Sequence, residues 1–176
     1  MATPTLRTAT DADAPALADL VRRAYRGREG WTTESALLDD QRIDEAGVRA
    51  KLARPRAVVL VAEQEGTVSG LLACCEVEDR GDGVAYFGMF AVEPALQAAG
   101  VGRAVLAAAE RHAAEAWGAT TMEMTVIAQR EELIAWYERR GYARTGETRP
   151  FPFADMVGGG ALRDDLHFVV LARPIA

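Results

Sequence analysis

The fold of this 176-residue chain is decided by a stretch that reads Met89-Phe90-Ala91-Val92-Glu93-Pro94-Ala95-Leu96-Gln97-Ala98-Ala99-Gly100-Val101-Gly102-Arg103, followed by an alanine-rich helical pattern. An apolar strand ends at Pro94, which cannot donate to a sheet ladder. Gly100 and Gly102 lie where the next helix must begin, so the backbone there can approach a ligand closely. The first-turn N–H groups have no partners within the helix and lie at the positive end of its dipole. The stretch therefore predicts a site for the pyrophosphate of a cofactor.

Two common phosphate-binding patterns are absent from this stretch. No lysine followed by Ser or Thr comes after Gly102, which disfavours a mononucleotide P-loop. No G-x-G-x-x-G occurs and no strand–glycine–helix unit opens the chain, which disfavours a nucleotide-binding oxidoreductase. What remains is Gln-x-x-Gly-x-Gly after a strand ending Val-x-Pro. Glycines before a helix also serve ordinary turns, so a plain turn is the alternative interpretation.

Composition narrows the function classes. Hydrophobic residues make up 49% and charged residues 26% of the chain, which is typical of one globular domain spanning residues 1–176. The net charge of −6 offers no basic stripe for nucleic acid and is consistent with a cationic substrate. The adjacent Cys74 and Cys75 are poorly placed to bridge each other, and no signal peptide or membrane span is evident. We therefore predict a cytoplasmic protein without a membrane or nucleic-acid partner.

Hydrophobic periodicity predicts the element order β-α-α-β-β-β-α-β-α-β-β, without repeats or linkers. The first predicted helix follows a cap at Thr10 and ends before Gly27. The other predicted helices lie within Asp44–Ala53, from Val101 to near Gly118, and over Glu131–Arg140. The predicted strands are Thr5–Thr8, Ala57–Glu63, Val68–Glu78, Val84–Val92, Thr121–Ile127, Tyr142–Thr148 and Leu166–Arg173.

The loop and the element order both resemble the GCN5-related N-acetyltransferases (GNAT family) over nearly the whole chain. The resemblance implies a mixed α/β sheet that splays open between its fourth and fifth strands. It also implies an acetyl-CoA-dependent enzyme without a metal, which acetylates an amine of a small molecule or an exposed peptide. The residues assigned by resemblance to acetyl-CoA are the strand end, the loop and one residue before the last helix: Met89, Phe90, Ala91, Val92, Gln97, Ala98, Ala99, Gly100, Val101, Gly102, Arg103 and Arg130.

A second informative segment is the helix that ends Tyr137-Glu138-Arg139-Arg140-Gly141-Tyr142. The resemblance implies that Tyr137 points to the sulfur of acetyl-CoA and protonates the departing thiolate. A purely structural role, packing in the core, is the alternative. Two departures from the family pattern stand out: Arg130 replaces a frequent asparagine, and Ala98 with Ala99 replaces the usual Gly and Arg.

The predicted general base has three candidates. They are Glu76, Glu78 and Glu123, and each also suits a structural or surface role. Deprotonation through water is the alternative. The resemblance further implies that an N–H near Phe90 or Val92 polarises the thioester carbonyl.

Two loops are expected to set the acceptor. The segment Gly30–Glu34 with Asp39 and Asp40 places Trp31 beside carboxylates that suit a cationic amine, although a solvated loop is equally compatible. The second is the late loop, Arg149–Asp165, whose aromatic stretch Arg149–Phe153 suits either a wall of the site or a homodimer contact. A non-catalytic acyl-CoA sensor on the same fold is the rival function.

Overall fold

The described residues of the chain fold into a mixed α/β structure with seven strands and four helices, in the order that the sequence predicts. The computed structural model describes residues 4–29, 33–156 and 158–175, without the side chains of residues 98 and 99. The strands are β1 (Leu6–Thr8), β2 (Ala57–Glu63), β3 (Leu71–Gly81), β4 (Val84–Val92), β5 (Thr121–Ile127), β6 (Ala143–Pro150) and β7 (His167–Pro174). The helices are α1 (Ala14–Arg26), α2 (Glu45–Leu52), α3 (Val101–Trp117) and α4 (Glu131–Glu138).

The strands form one sheet in the order β1-β2-β3-β4-β5-β7-β6, in which only β4 and β5 are parallel. These two strands pair over three residues alone, from Val84 opposite Thr121 to Tyr86 opposite Glu123. Beyond Tyr86 the strands separate, while β4 continues to pair with β3 on its other side. The predicted splay between the fourth and fifth strands is therefore confirmed, and it leaves one edge of β4 open.

Each face of the sheet carries its own apolar core. Helices α1 and α2 cover one face of β2, β3 and β4, whereas α3 and α4 cover the opposite face. The alternation of side chains along a strand places Cys74 in the first core and Cys75 in the second. Both thiols are free and buried, and burial raises the pKa of Cys74 to about 12. The pair packs the interior, as predicted from its spacing.

Strand β4 contains an irregularity at the point where the sheet opens. Cys74 lies opposite Ala91 and Glu76 lies opposite Gly88, so two residues of β4 share the place opposite Cys75. Met89, one of these two, has a φ of 45°, which is rare for a residue with a long side chain. Such a bulge re-aims the backbone of its strand and often lies beside a functional site.

Some element bounds differ from the sequence prediction. Strand β3 begins at Leu71 rather than Val68, because residues 67–70 form a turn in which Gly70 has a φ of 75°. Val68 lies outside the sheet and is 79% exposed. Helix α4 ends at Glu138, before the left-handed Gly141 that the sequence indicates as its terminating glycine. Within the described ranges, no helix has the length and apolarity needed to span a membrane.

Candidate active site

A cleft with about 580 Å³ of open space lies where β4 leaves β5. Its floor is the end of β4, one side is the start of α3, and the other side is α4. Aromatic rings give it an apolar wall: the Phe90 and Trp136 ring centroids lie 6.1 Å apart, and those of Trp136 and Tyr137 lie 5.0 Å apart. Six of the twelve residues assigned to the cofactor by sequence line this cleft: Phe90, Ala91, Val92, Gln97, Gly102 and Arg130. We call this space the cofactor cleft.

The predicted phosphate loop meets the cofactor cleft at the N-terminus of α3. Gly100 has a φ of 78°, a conformation that favours glycine, and no side chain caps the first turn of the helix. The N–H groups of this turn consequently remain available to an anion. The Gln97 side-chain amide donates to the Val92 carbonyl at 3.2 Å, which ties the loop to the end of β4.

Close packing in the wall of the cleft gives Gly102 a second reason to be glycine, besides the predicted contact with pyrophosphate. A β-carbon at this position would lie 3.2 Å from Cζ of Phe90 and 3.3 Å from Trp136. The residue is buried, so the missing side chain lets α3 approach two rings of the cleft wall. Sequence reasoning ascribed this glycine to backbone contact with pyrophosphate, and the structure adds a packing requirement.

Three arginines cluster beside this mouth of the cleft without carboxylate partners among the described residues: Arg103, Arg139 and Arg140. The Arg140 guanidinium lies 3.5 Å from the centroid of the Trp136 ring and donates to the Trp136 carbonyl at 2.7 Å. Burial, together with the charges of Arg139 and Arg103, lowers the pKa of Arg140. Like charges held together in this way favour a bound anion. The sequence prediction included Arg103 but missed the other two, whose placement depends on how α4 packs.

Tyr137 lies on the inner face of α4 and is 4% exposed. Burial raises the pKa of its phenol, so the hydroxyl stays protonated at neutral pH. Its hydroxyl makes no hydrogen bond within the described part of the chain. Tyr142 packs against it with ring centroids 5.8 Å apart, but the Tyr142 hydroxyl donates to Glu110 at 2.8 Å. An unbonded, protonated hydroxyl beside the cleft is a group able to donate a proton.

A second cleft, with about 700 Å³ of open space, continues from the first into the splay between β4 and β5. The residues common to both clefts are Tyr25, Phe90, Arg130, Leu133 and Tyr137. The second cleft is further lined by polar side chains from the connection between α1 and α2 and from β4 and β5: Glu34, Arg42, Tyr86 and Thr125. The Tyr86 and Thr125 hydroxyls lie 2.7 Å apart and join the two diverging strands. We call this space the acceptor cleft.

Ion pairs within the protein neutralise two carboxylates of the first loop, those of Glu34 and Asp40. Glu34 accepts from Arg26 and from Arg130, the latter at 2.8 Å, and Arg26 also donates to Asp40 at 2.6 Å. All four side chains are nearly buried, with 6 to 11% of their surface exposed. Arg130, which the sequence analysis assigned to the cofactor, thus reaches both clefts and binds Glu34. Trp31 and its neighbours, residues 30–32, lie outside the described residues.

None of the candidate bases is a free carboxylate in the clefts. Glu76 is 2% exposed and binds Lys51 at 2.5 Å and Arg54 at 2.8 Å, toward α2 and away from the face that carries Tyr137. Glu78 pairs with Arg54 and, at 3.2 Å, with Arg80. Glu123 accepts from Arg149 at 2.8 Å and lies on β5 before the strands diverge. The structure therefore does not bring any of the three residues to Tyr137. Strand alternation alone could not show this, since the partners come from distant segments.

The two loops predicted to set the acceptor pack against each other. The Asp39 N–H donates to the Gly160 carbonyl at 3.0 Å, and the Leu162 N–H donates to the Leu37 carbonyl at 2.8 Å. Leu38 is buried against Leu166 and other apolar side chains of the late loop. The first loop and the late loop therefore form one joint wall. No cluster of three or more potential metal ligands occurs in the described ranges.

Comparison with known proteins agrees with this architecture. The model of the acetyltransferase (GNAT) family matches residues 14–142. No curated protein sequence matches the chain.

Three solved structures illustrate the similarity. The ribosomal-protein-S18-alanine N-acetyltransferase of Escherichia coli is 22% identical, with 98% of this chain and 94% of that chain covered and a TM-score of 0.69. The PaiA N-acetyltransferase of Thermoplasma acidophilum, solved in complex with coenzyme A, is 13% identical, with 98% and 99% covered and a TM-score of 0.73. A GCN5-related N-acetyltransferase from Kribbella flavida is 21% identical, with 98% of both chains covered and a TM-score of 0.66. At these identities the likeness establishes the shared fold.

Proposed function

Because this chain belongs to the acetyltransferase (GNAT) family, whose fold implies acyl-CoA-dependent N-acetylation, we propose that it transfers the acetyl group of acetyl-CoA directly to an amine. The acceptor is the amine of a small molecule or of an exposed peptide. One observation carries this proposal: the cofactor cleft and the acceptor cleft meet at Tyr137. A thioester entering from one side and an amine entering from the other would come together at this phenol.

The cofactor cleft suits acetyl-CoA in three separate ways. The uncapped start of α3 offers N–H groups to the pyrophosphate. The guanidinium groups of Arg103, Arg139 and Arg140, which pair with no carboxylate of the described residues, supply positive charge for phosphate oxygens. The open edge of β4 and the aromatic wall suit the extended, partly apolar pantetheine arm, which would run along the strand like an additional one.

The proposed chemistry needs few groups. The neutral amine attacks the thioester carbon, the new N–C bond forms, and the C–S bond breaks. Tyr137 gives its proton to the departing sulfur, the nitrogen of the new amide loses its extra proton to water, and Tyr137 regains a proton from water to close the cycle. Backbone N–H groups near Phe90, which the bulge at Met89 re-aims, would polarise the carbonyl oxygen. Positioning of the two substrates supplies most of the remaining acceleration.

Water is the proposed proton acceptor, because Glu76 and Glu123 are ion-paired outside the junction of the clefts. The amine would then react in its neutral form, and its deprotonation would precede attack.

The decisive experiment combines calorimetry with a thiol-release assay. We expect the purified protein to bind CoA, and to release free thiol from acetyl-CoA with at least one amine of a broad panel. A matched binding variant is Arg103→Ala, which should weaken CoA binding about 3- to 10-fold at low salt and less at high salt. Absence of CoA binding would refute the proposal.

The rival function is a non-catalytic acyl-CoA sensor on the same fold. One observation favours it. Among the described residues, no carboxylate free of an ion pair lies beside Tyr137, where the two clefts meet. A sensor would bind CoA but release no thiol with any amine. A single domain over residues 1–176, a homodimer and a cytoplasmic location stay predictions from the sequence.

A further inference from the structure

Arg42 has an unusual backbone conformation at the entrance of α2. Its φ is 64°, in the left-handed region that residues with long side chains seldom adopt. The next residue, Ile43, is 6% exposed and packs in the core shared by α1 and α2, which fixes the chain on that side. Left-handed conformations of this kind are strained and concentrate at functional and ligand-binding positions. The observation calls for a role for the Arg42 side chain.

The Arg42 guanidinium faces the acceptor cleft and has no acidic partner there. It lies 5.0 Å from the centroid of the Tyr25 ring. In the described ranges, no carboxylate is within ion-pair distance of it and no hydrogen bond holds it. The two nearby acids, Glu34 and Asp40, are instead bound by Arg26 and Arg130.

The charge balance around the acceptor cleft is therefore positive. Two carboxylates, those of Glu34 and Asp40, face three guanidinium groups, those of Arg26, Arg42 and Arg130. The pairs among them leave one positive charge, and it belongs to Arg42. An unpaired, partly buried cation lowers stability unless an anion joins it. The loop carboxylates suggested a cationic acceptor from the sequence. In the structure, the carboxylates of Glu34 and Asp40 are already bound by arginines of the protein.

We propose that Arg42 is a specificity-determining residue that binds a carboxylate of the acceptor, so that the acceptor is a small amine carrying its own carboxylate, as amino acids do. A guanidinium matches the planar carboxylate with two parallel N–H···O bonds. The rings of Tyr25 and Tyr86 line the same cleft and suit the apolar part of such a molecule. The proposal rests on the proposed acetyl transfer, and it specifies the substrate class of the same site.

The test compares matched acceptors. Each of several amino acids is paired with its carboxamide and with the amine that lacks the carboxyl group, and kcat/KM is measured by thiol release. CoA affinity is measured in parallel by calorimetry. We expect the unaltered protein to prefer the carboxylate member of at least one set by about 10- to 100-fold, the range for a hydrogen-bonded charge pair.

Three variants separate specificity from stability. Arg42→Gln should abolish the carboxylate preference and leave CoA affinity unchanged. Arg22→Gln removes the same charge from the exposed side of α1 and should leave the preference intact. Arg42→Gly should also abolish the preference while shifting the melting temperature by no more than about 3 °C, because glycine relieves the left-handed backbone and offsets the lost contact with Tyr25.

The outcomes are distinct. A preference that disappears in both Arg42 variants and persists in Arg22→Gln supports the proposal. Acetylation without a carboxylate preference, or a preference that survives Arg42→Gln, overturns it and leaves the proposed acetyl transfer standing. Absence of turnover with every acceptor, despite CoA binding, overturns the proposed acetyl transfer together with this inference.

Discussion

Tyr137 and Tyr142 are neighbouring buried phenols whose hydroxyl groups have different surroundings. The Tyr137 hydroxyl makes no hydrogen bond in the described structure and lies between the clefts, whereas Tyr142 donates to Glu110. We predict that Tyr137→Phe lowers kcat by about 100-fold or more, the usual contribution of a general acid, and leaves CoA affinity unchanged. Steady-state kinetics and calorimetry measure the two effects.

Tyr142→Phe is the matched control. It removes a hydroxyl from the same aromatic cluster but at a site away from the clefts, so kcat should persist while the free energy of unfolding falls by about 1 kcal/mol. Equal losses of kcat in the two variants would mean that the cluster matters only through packing.

The pH profile gives a further check on Tyr137. Burial raises the pKa of this phenol, so it should remain protonated up to at least about pH 10. The rate should therefore rise with pH as the acceptor amine loses its proton, without a fall caused by Tyr137. In Tyr137→Phe we expect the pH profile of the rate to have a lower plateau and the same midpoint. A shifted midpoint would mean that another titrating group acts as the general acid.

Gly102 lies where an added side chain would disturb the wall of the cofactor cleft. A methyl group there would press on Phe90 and Trp136 at 3.2 and 3.3 Å, and both rings line the cofactor cleft. We predict that Gly102→Ala weakens CoA binding by about tenfold, since overpacking of this size costs about 1–3 kcal/mol. The better helix propensity of alanine, about 1 kcal/mol, should keep the loss of stability small.

A control for Gly102→Ala is a change on the exposed side of the same helix, such as Arg111→Ala. An unaltered CoA affinity in Gly102→Ala, together with a lower melting temperature, would contradict the prediction. It would show that Phe90 and Trp136 shift to accept the methyl group without narrowing the cofactor cleft. The larger Gly102→Val should lower stability as well, because its branched side chain would press harder on Phe90 and Trp136.

Local chemistry explains which residues could be predicted from the sequence. Gly100 and Gly141 occupy left-handed positions next to helix ends, a requirement visible in the sequence itself. The partners of Glu76 and Arg130 come from segments 22 to 96 residues away, and nothing in a local pattern fixes such contacts. The role proposed for Arg42 was not predictable for the same reason, because the fold decides which arginines the nearby carboxylates of Glu34 and Asp40 bind.

At the scale of elements, the ion-pair network connects α1, the first loop and the start of α4. Glu34 binds two arginines, Arg26 from α1 and Arg130 from the residue that precedes α4. We predict that Glu34→Gln lowers the free energy of unfolding by about 3 kcal/mol, because it leaves a buried guanidinium without its counter-charge. Chemical denaturation measures the loss.

Glu132→Gln is the matched control, since Glu132 is exposed on α4 and should change stability by less than about 0.5 kcal/mol. A loss in Glu34→Gln no greater than in this control would show that the network is not energetically coupled to folding. Because Glu34 and Arg130 line the acceptor cleft, acceptor KM should rise in Glu34→Gln as well.

The element order was predictable because each strand and helix carries its own hydrophobic period. Strands β2, β4 and β5 have the predicted bounds, since apolar runs stop at clear turn residues. The predicted start of β3 was wrong because Val68, a β-branched residue typical of strands, lies in a turn. The bulge at Met89 was not predictable, as it depends on pairing with β3.

For the molecule as a whole, the weakest connection in the sheet is between β4 and β5. Three residue pairs join the two strands, and the remaining edge of β4 faces the clefts. The first four strands and the last three are thus held together mainly by this short ladder, the packing of α3 and α4, and the ion pairs of Glu34. A ligand that fills the opening would touch both parts.

We therefore predict that CoA stabilises the entire fold. At a concentration of 100 times Kd, binding to the native state alone adds about 2.7 kcal/mol, which corresponds to a rise in melting temperature of roughly 5–11 °C. Hydrogen exchange should slow at those amides of residues 87–92 that face away from β3, because the pantetheine arm would cover them. Exchange on β2, which lies inside the sheet away from the clefts, should change only through the global gain. A rise in melting temperature without protection along β4 would place CoA elsewhere on the molecule, and the proposed course of the cofactor along the open strand would have to be abandoned.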